Sequence, residues 1–511
     1  MKSKLTLWVI LLSNFLCCAY GQEITWQKCF GGSDQDFCSG AFQTSDNGYM
    51  LFGTIKSNDG DVVFNHGGYE VWTIKADSTG EIEWQNSCCT ENHETIHCVI
   101  QTADGGFAYC GWSSSETVPN YDFWIVKLNG EAEMEWQNSY GGSSYDIAAS
   151  LAQTPDGGYI MAGYSESEDG DVSGNHGLDD YWVVKTDSTG LLQWEKSFGG
   201  SGNDRCEIII SLPDSSYAMC GFSSSNNGDV SGNHGNFDFW LVKINEIGDI
   251  LWQKTYGGSD EDSNITSLLQ LEDQGFLITG RTKSNNGDVT FNHGDQDVWT
   301  IKTDSIGEIE WQRTYGGSGY DVSGDIIRTI DGGYLHSATT KSVDGDITQS
   351  FGSYDIWMIK INDTGDLQWE KSIGGSDFDV NRSILKISEN EFKLAGTTSS
   401  NDGYISGNHG DDDLWLADFE ILNTGVNDGI FRGCKISVAP NPAKNYFALT
   451  NAPESSGKYS YALMDMSGRL VINGTLQIYE KVNIEGIPNG SYIVQIKTGN
   501  GLTGYQKLIK E

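Results

Sequence analysis

Basic residues are scarce in this sequence. Lys and Arg number 31 against 71 Asp and Glu, which gives a formal net charge of −40. Nucleic acids and anionic membrane surfaces attract proteins through Lys and Arg, so this balance argues against both as partners. Cationic ligands, divalent metals and neutral glycans remain compatible with it, as does a merely soluble extracellular surface.

Long apolar runs are missing beyond the N-terminus. There, Lys2 and Lys4 precede an apolar run over residues 5–16, and the small residues Ala19 and Gly21 precede Gln22. This pattern is typical of a secretory signal peptide, so we predict that residues 1–21 are removed. No later run approaches the roughly 18 apolar residues that cross a bilayer. The sequence predicts an exported, soluble protein without a transmembrane span, which we expect to be a monomer.

Familiar catalytic motifs are absent as well. The sequence contains no nucleophile elbow, phosphate-binding loop or HExxH motif. Nine cysteines follow the predicted cleavage site, and since the number is odd, at least one is unpaired in a monomer. We interpret most of them as small hydrophobic core residues.

What the sequence does have is one unit repeated along its first 420 residues. A Trp followed by Gln or Glu recurs at Trp26, Trp84, Trp136, Trp194, Trp252, Trp311 and Trp369. The intervals are 58, 52, 58, 58, 59 and 58 residues. A second series keeps the same period at Trp72, Trp124, Trp182, Trp240, Trp299, Trp357 and Trp415. Self-similarity at a fixed period indicates a repeat architecture.

One repeat contains four antiparallel strands, which we predict at residues 148–154, 159–165, 181–185 and 192–197. Turn residues separate the members of each hairpin. In the first repeat, the last turn pairs Trp72 near Gln85 and Trp84 near Thr73, so the two indoles point to opposite faces. Each sheet then offers an aromatic residue to both of its neighbours, and we interpret both series as core between sheets.

Four-stranded sheets repeated radially form a β-propeller. The chain opens with a lone last-strand segment at residues 24–30, and the final repeat stops after its third strand at residues 414–419. If the N-terminal strand completes the final sheet, the protein is all-β with seven whole blades and no free edge. A linear solenoid would leave two unpaired edges and would need capping repeats.

Acidic residues recur at the blade-to-blade loop, which reads Gly-Gly-Ser-x-x-Asp six times. Each acid begins an innermost strand, so we expect a ring of seven at the channel mouth: Asp36, Glu94, Asp146, Asp204, Asp262, Asp321 and Asp379. The ring could bind a cation. Alternatively, each acid accepts hydrogen bonds from the glycine loop or a neighbouring indole.

The loop between the second and third strands carries a second set of acids. These candidate Ca²⁺ ligands are Asp59, Asp61, Asp169, Asp171, Asp229, Asp288, Asp344 and Asp346. Clustered oxygens around a glycine turn suit Ca²⁺, but Asx turns use the same residues without a metal. An Asn-His-Gly sequence follows, whose histidines we interpret as turn hydrogen-bond partners: His66, His176, His234, His293 and His409.

The second blade departs from the pattern. It is six residues short, lacks the Asn-His-Gly loop, and gathers Cys88, Cys89, His93, His97 and Cys98 within eleven residues. Thiolates and imidazoles could form a transition-metal site. Repeat divergence and a local disulfide are the alternatives. Because function in a symmetric array can lie where symmetry breaks, this blade is a candidate for recognition.

The pattern Asp77, Gly80, Trp84 resembles the Asp-box of sialidases and related propellers, with one extra residue on each side of the glycine. Sialidases also use three arginines for the substrate carboxylate. No pattern here singles out three among the arginines of the propeller, which are Arg205, Arg281, Arg313, Arg328 and Arg382. We therefore do not expect sialidase activity.

The Trp repeat ends at Trp415 and does not extend into the last 76 residues of the chain. Residues 436–511 contain conspicuous motif residues at Pro440, Asn441, Pro442, Gly468, Gly490 and Tyr492. This segment resembles the type A C-terminal sorting domain of the type IX secretion system of Bacteroidota. The resemblance implies a small Ig-like β-sandwich that interacts with the secretion machinery, directs passage across the outer membrane and is usually cleaved, leaving its cargo surface-attached or released.

These observations predict a signal peptide at 1–21, a seven-bladed propeller at 22–422, a linker at 423–435 and a sorting domain at 436–511. Two function classes stay open. One is a non-catalytic binding or adhesion module for glycan or protein. The other is a carbohydrate-active enzyme that uses two carboxylates on the loop-rich top face. Because the acids recur in every blade instead of pairing at one place, we favour the binding module.

Overall fold

The structure is a computed structural model. It describes residues 20–65, 68–88, 93–115, 118–423, 430–431, 434–435, 437–439, 443–451, 458–465, 469–497 and 503–510. Residues 1–19 of the predicted signal peptide lie outside these ranges. The chain divides into two compact units, Ile24–Phe419 and a second unit made of Met1–Glu23 and Glu420–Glu511.

The first unit is a seven-bladed β-propeller, which confirms the predicted fold class. Strand β1 (Tyr20–Phe30) comes first in the chain. Blade 1 contains β2 (Asp36–Gln43), β3 (Tyr49–Ile55), β4 (Glu70–Ala76) and β5 (Ile82–Cys88). Blade 2 contains β6 (His93–Gln101), β7 (Phe107–Ser115), β8 (Val118–Leu128) and β9 (Met134–Tyr140). Blade 3 contains β10 (Asp146–Gln153), β11 (Tyr159–Ser165), β12 (Asp180–Thr186) and β13 (Leu192–Phe198).

Blades 4 to 7 continue the same order. Blade 4 contains β14 (Asp204–Ser211), β15 (Tyr217–Ser223), β16 (Asp238–Ile244) and β17 (Ile250–Tyr256), and blade 5 contains β18 (Asp262–Gln270), β19 (Phe276–Thr282), β20 (Asp297–Thr303) and β21 (Ile309–Tyr315). Blade 6 contains β22 (Asp321–Arg328), β23 (Tyr334–Thr340), β24 (Asp355–Ile361) and β25 (Leu367–Ile373). Blade 7 contains β26 (Asp379–Lys386), β27 (Glu391–Thr398) and β28 (Asp413–Asn423). Strand β1 lies beside β28 and supplies the fourth strand of blade 7.

Tryptophans fill the spaces between blades. Trp72 belongs to the core shared by blades 7 and 1, where Trp26 packs against the same residues. Trp84 packs against the core between blades 1 and 2, together with Trp124. The two indoles of blade 1 therefore face opposite neighbours, as the sequence predicts.

The predicted strand register of the last hairpin was wrong by two residues. Trp72 lies opposite Ser87 and Trp84 lies opposite Lys75, because an irregularity beside the turn shifts the pairing. A shift of two residues keeps each side chain on its face. The indole N–H of Trp72 still donates to Gln85, at 3.0 Å.

The innermost strands carry β-bulges three residues after their first acid. In blades 1, 2 and 7 the bulged residues are Ser39, His97 and Arg382, each skipped in the pairing with the second strand. Blades 3 and 4 place Ala149 and Glu207 in the same position. Bulges re-aim a side chain and increase local twist, so these positions can differ between blades without disturbing the sheets.

The second unit is a sandwich of two small sheets. Its strands are β29 (Ile430–Phe431), β30 (Cys434–Lys435), β31 (Ser437–Ala439), β32 (Tyr446–Asn451), β33 (Tyr459–Asp465), β34 (Leu470–Leu476), β35 (Lys481–Asn483), β36 (Gly490–Lys497) and β37 (Thr503–Lys510). The sheet β31-β32-β35 and the sheet β34-β33-β36-β37 enclose one core around Phe447 and Val494.

Candidate functional site

The seven acids that begin the innermost strands are buried. Asp146 accepts hydrogen bonds from the Gly142 amide at 2.7 Å, from the Ser167 hydroxyl at 2.9 Å and from the Ser165 hydroxyl. Asp204, Asp262, Asp321 and Asp379 repeat this set with Gly, Ser and Thr partners. Six of the seven are 0% exposed and Glu94 is 6% exposed. The six Asp members of the expected ring are thus enclosed in their loops and not open to a channel, whereas Glu94 lines a cavity.

A second acid precedes the tryptophan of each third strand by two residues, and it is buried in every blade except blade 2, where Asp122 is half-buried. In blade 3, Asp180 Oδ2 accepts the backbone N–H of His176 at 2.7 Å and lies 2.7 Å from its ring Nδ1. Asp180 Oδ1 is buried without a hydrogen-bond partner in the described structure, and its counterparts in blades 2, 4, 5, 6 and 7 share this state. Burial raises the pKa of Asp180 to about 6. The histidines of blades 3, 4, 5 and 7 close their own turns; His66 lies outside the described residues.

The candidate Ca²⁺ ligands hold neighbouring loops together. The first acid of each loop accepts a backbone N–H from the preceding blade-to-blade loop, as Asp59 does from Ser33 and Asp169 from Ser143, both at 2.7 Å. Asp344 does the same with Ser318. The second acids accept a glycine amide at 3.1 to 3.3 Å in Asp171, Asp229, Asp288 and Asp346.

Asp61 lies 3.8 Å from the His409 ring. Across the described ranges, no group of three His, Cys, Asp or Glu side chains has a metal-binding arrangement. These loops have a structural use for the acids, and a Ca²⁺ site among them stays a prediction.

A cavity of about 620 Å³ opens where blades 7, 1 and 2 meet. Its residues come from the innermost strands of all three blades. In blades 1 and 2 they also come from the second strand, and from the third strand or the loop directly before it. Pockets that enclose small ligands have about 300–1,000 Å³ and combine apolar walls with a few polar groups. This cavity is therefore the candidate site.

Aromatic side chains form two of its walls. The Trp112 and Tyr121 rings lie 4.1 Å apart between centroids, and Tyr145 extends this group at 4.9 Å from Tyr121. Phe37 and Tyr69 stack at 6.4 Å with nearly parallel planes. Trp112 belongs to neither tryptophan series. The cavity offers flat apolar faces whose Tyr and Trp rings also carry polar atoms.

The bulged residues supply the polar wall. Ser39, His97 and Arg382 all line the cavity, because the bulges of blades 1, 2 and 7 lie side by side. His97 Nδ1 lies 2.9 Å from the Ala148 carbonyl. The surrounding protein displaces water from this ring and lowers the pKa of His97. In the neutral imidazole, Nδ1–H donates to the Ala148 carbonyl, so Nε2 remains as an acceptor for one hydrogen bond.

Sequence reasoning selected the second blade but missed the cavity. Of its clustered residues, His97 lines the cavity and Cys98 contacts the Leu151 carbonyl. Cys89 and the side chains of Cys88 and His93 lie outside the described residues. A usable signal is the position three residues after each ring acid, whose chemical type varies between blades: Ser39, His97, Ala149, Glu207 and Arg382.

The motif residues of the second unit are only partly described. Gly490 begins β36, and Tyr492 is buried there with its hydroxyl donating to the Pro488 carbonyl at 2.7 Å. Pro440, Asn441, Pro442 and Gly468 lie outside the described residues. Tyr492 thus joins the turn before β36 to the core of the sandwich.

The two units together identify the kind of protein: a seven-bladed propeller followed by a small β-sandwich that carries a sorting sequence. Residues 437–511 match the secretion system C-terminal sorting domain. This propeller protein is therefore exported by the type IX secretion system, to the cell surface or the medium. No helix in the described ranges is long and apolar enough to span a membrane. The comparison with curated proteins gave no match.

Solved structures share the propeller architecture at low identity. BBS1N, in a crystal structure with ARL6DN, is 8% identical with a TM-score of 0.43, covering 79% of this chain and 98% of its own. The β-propeller domain of the Trilobed protease from Pyrococcus furiosus is 9% identical with a TM-score of 0.40, covering 76% and 96%. A DUF4221 protein from Bacteroides vulgatus is 10% identical with a TM-score of 0.36, covering 80% and 99%. Similarity this distant says nothing about ligands or activity.

Proposed function

We propose that the propeller is a non-catalytic binding module for a glycan, displayed or released outside the cell. The observation that carries this proposal is the aromatic cavity between blades 7, 1 and 2. A pyranose ring has an apolar face of C–H groups that packs on Trp and Tyr rings, while its hydroxyls need the hydrogen-bonding groups that Ser39 and His97 supply.

The dimensions favour a saccharide over a protein partner. A stable protein interface buries about 800 Å² of a fairly flat surface on each side, whereas this site is a concave cavity of about 620 Å³. Two aromatic pairs at 4.1 Å and 6.4 Å provide rigid walls at low entropic cost. A protein ligand is the alternative outcome of the binding experiments.

The enzyme alternative has weaker support. Glycoside hydrolysis needs two carboxyl groups about 5–5.5 Å or 6.5–9.5 Å apart across the scissile bond. Among the described residues that line the cavity, Glu94 is the one carboxylate. The other six acids of the ring are fully buried, and loop amides and hydroxyls occupy the oxygens of acids such as Asp146 and Asp204.

The test is a glycan array followed by calorimetry on the purified protein and on Trp112→Ala. We expect saccharide binding without release of reducing ends, and at least a tenfold loss in Trp112→Ala, in line with about 1–3 kcal/mol for stacking on one aromatic ring. The matched control is Phe291→Ala, an exposed loop aromatic that packs on His293 away from the cavity. Equal affinity of both variants, or turnover of a bound polysaccharide, would contradict the proposal.

A further inference from the structure

Four of the five arginines of the propeller form an ion pair with a carboxylate. Arg205 pairs with Asp179 and Arg281 with Glu261, each at 2.6 Å. The remaining two pairs are Arg328 with Glu272 at 2.8 Å and Arg313 with Asp366 at 3.3 Å. Arg382 has no carboxylate within ion-pair distance anywhere in the described structure. In a chain with 71 acidic residues, an arginine left without an acid stands apart.

The position of Arg382 explains how it can remain unpaired among the described residues. It is the bulged residue of the innermost strand of blade 7, and its side chain is exposed and lines the cavity. Its charge reaches across to blade 1, where it opposes the burial that raises the pKa of the Cys38 thiol to about 12. The guanidinium therefore faces the space between blades 7 and 1, where a ligand would lie.

The charges around the cavity leave Arg382 available to an anion. Glu94 shares the cavity but is only 6% exposed. His97 does not add a positive charge, because the protein around its ring displaces water and lowers the pKa of the imidazole. Among the described residues no other acid lines the cavity, and at physiological ionic strength charges farther than about 8 Å from the guanidinium are largely screened. A planar guanidinium binds carboxylate or sulfate through two parallel hydrogen bonds, which a neutral hydroxyl cannot match.

We propose that the cavity recognises an acidic saccharide, with a sugar ring on Trp112 and Tyr121 and its carboxylate or sulfate on Arg382. This inference rests on the proposed glycan-binding function and adds the charge of the ligand. Uronic acids and sulfated sugars present the same chemistry, and the two are separated by experiment.

The experiment measures affinities by calorimetry for matched pairs of saccharides. An oligogalacturonate is compared with its methyl ester, which keeps the ring and removes the charge, and a sulfated oligosaccharide with its desulfated form. We expect the protein to prefer one acidic member by at least tenfold, since hydrogen bonds to a charged group contribute enough for a factor of ten or more. The pair that shows the preference identifies carboxylate or sulfate.

Two variants locate the preference. Arg382→Met should abolish the preference by lowering affinity for the acidic member, and Arg382→Lys should retain part of the preference. Arg328→Met is the matched control, because it removes the same charge from an exposed ion pair that does not line the cavity. Melting curves for all variants establish that each is folded.

The outcomes separate this inference from the function on which it rests. Equal binding of charged and neutral members, or a preference that survives in Arg382→Met, overturns the inference and leaves glycan binding in place. Failure of every saccharide to bind overturns both. An acidic peptide that binds through Arg382 while the saccharides do not also overturns both, and assigns the cavity to a protein ligand.

Discussion

Two neighbouring junctions of the propeller use the same positions in opposite ways. Between blades 2 and 3, Trp112, Tyr121 and Tyr145 form a run of three contacting rings beside an open cavity. The loop above them is six residues shorter than in the other blades. These three rings present apolar surface beside the cavity.

Between blades 3 and 4 the equivalent positions are closed. The Arg205 guanidinium lies 4.2 Å from the centre of the Tyr164 ring and pairs with Asp179 at 2.6 Å. Both junctions contain buried acids and tryptophans at equivalent positions of their blades. The repeated residues therefore build the ring, whereas the residues beside them decide whether a junction is covered or open.

The largest effect should come from removing what the junctions share. Asp204→Ala leaves the Gly200 amide and the hydroxyls of Ser223 and Ser225 without their acceptor. We expect the free energy of unfolding to fall by about 3 kcal/mol, the range for an unsatisfied buried network. Urea denaturation followed by Trp fluorescence measures it. Asp229→Ala in the same blade, which loses one 3.3 Å contact, should cost less than half as much; equal losses would show that the buried acid has no special structural weight.

Closing the open junction should remove ligand binding. Replacing residues 114–120 of blade 2 with residues 166–178 of blade 3 restores the missing six residues beside the cavity. We expect saccharide affinity to fall at least tenfold, because the loop would cover the approach to Trp112, with each tenfold worth about 1.4 kcal/mol. The control places residues 166–178 into blade 4 in place of 224–236, where the length is already the same. Undiminished binding in the blade 2 exchange would place the ligand elsewhere.

The covered junctions should differ from ordinary surfaces in their response to pH. Burial raises the pKa of Asp180 from 3.8 to about 6. The folded state therefore binds the proton more tightly, and this stabilisation is complete below pH 3.8 and lost as the pH rises through about 6. Asp180→Asn keeps an oxygen for His176 and removes the buried charge. We expect it to stabilise the protein by about 1 kcal/mol at pH 7.5 and to bring no gain at about pH 4.

Asp187 is the control of opposite sign. Hydrogen bonds from Thr189 and the Leu191 amide lower the pKa of this exposed turn acid, so its contribution is present above its unfolded pKa and lost as the pH falls. Asp187→Asn should destabilise at neutral pH and have no effect at low pH. Parallel pH profiles for the two variants would refute the distinction between the junction acids and the turn acids.

The smallest effect should come from Ca²⁺. The loop acids already accept backbone hydrogen bonds, as Asp59 and Asp169 do at 2.7 Å. We expect millimolar Ca²⁺, compared with chelator, to move the melting temperature by less than about 1 °C, since a ligand stabilises only the state that it binds. A rise of several degrees that disappears in Asp169→Asn would restore the metal site to these loops.

The fold could be predicted because the same pattern of strands, turns and tryptophans occurs seven times in the sequence. The predicted second strand of blade 3, residues 159–165, coincides with β11, and the others differ by a residue or two at their ends. Comparison of the repeats strengthens the prediction of each turn and of each core position. The exception is the register near the last turn, because a bulge leaves no mark in the alternation of apolar residues.

The cavity could not be predicted for the same reason. Several of its residues differ in type from their counterparts in the other repeats, so a comparison of the repeats gives no recurring signal for them. Arg382 and His97 are distant in sequence and meet only because the ring closes blade 7 onto blade 1. The direction of a bulged side chain also depends on twist, which the sequence does not display. Trp112 was visible as the tryptophan outside both series, but its neighbours were not.

Strand β1 determines when the ring can close as well as how it closes. Gln27 donates to the Tyr404 carbonyl at 2.8 Å, and the Trp415 indole donates to Gln27 at 3.0 Å across 388 positions of the chain. Such distant partners meet only after nearly 400 residues have been synthesised, and closing so long a loop is slow. Blades 1 to 6 can assemble in sequence while blade 7 waits for its first and last strands. We therefore expect the cavity, whose residues come from blade 7 and from blades 1 and 2, to be the last part of the propeller to form.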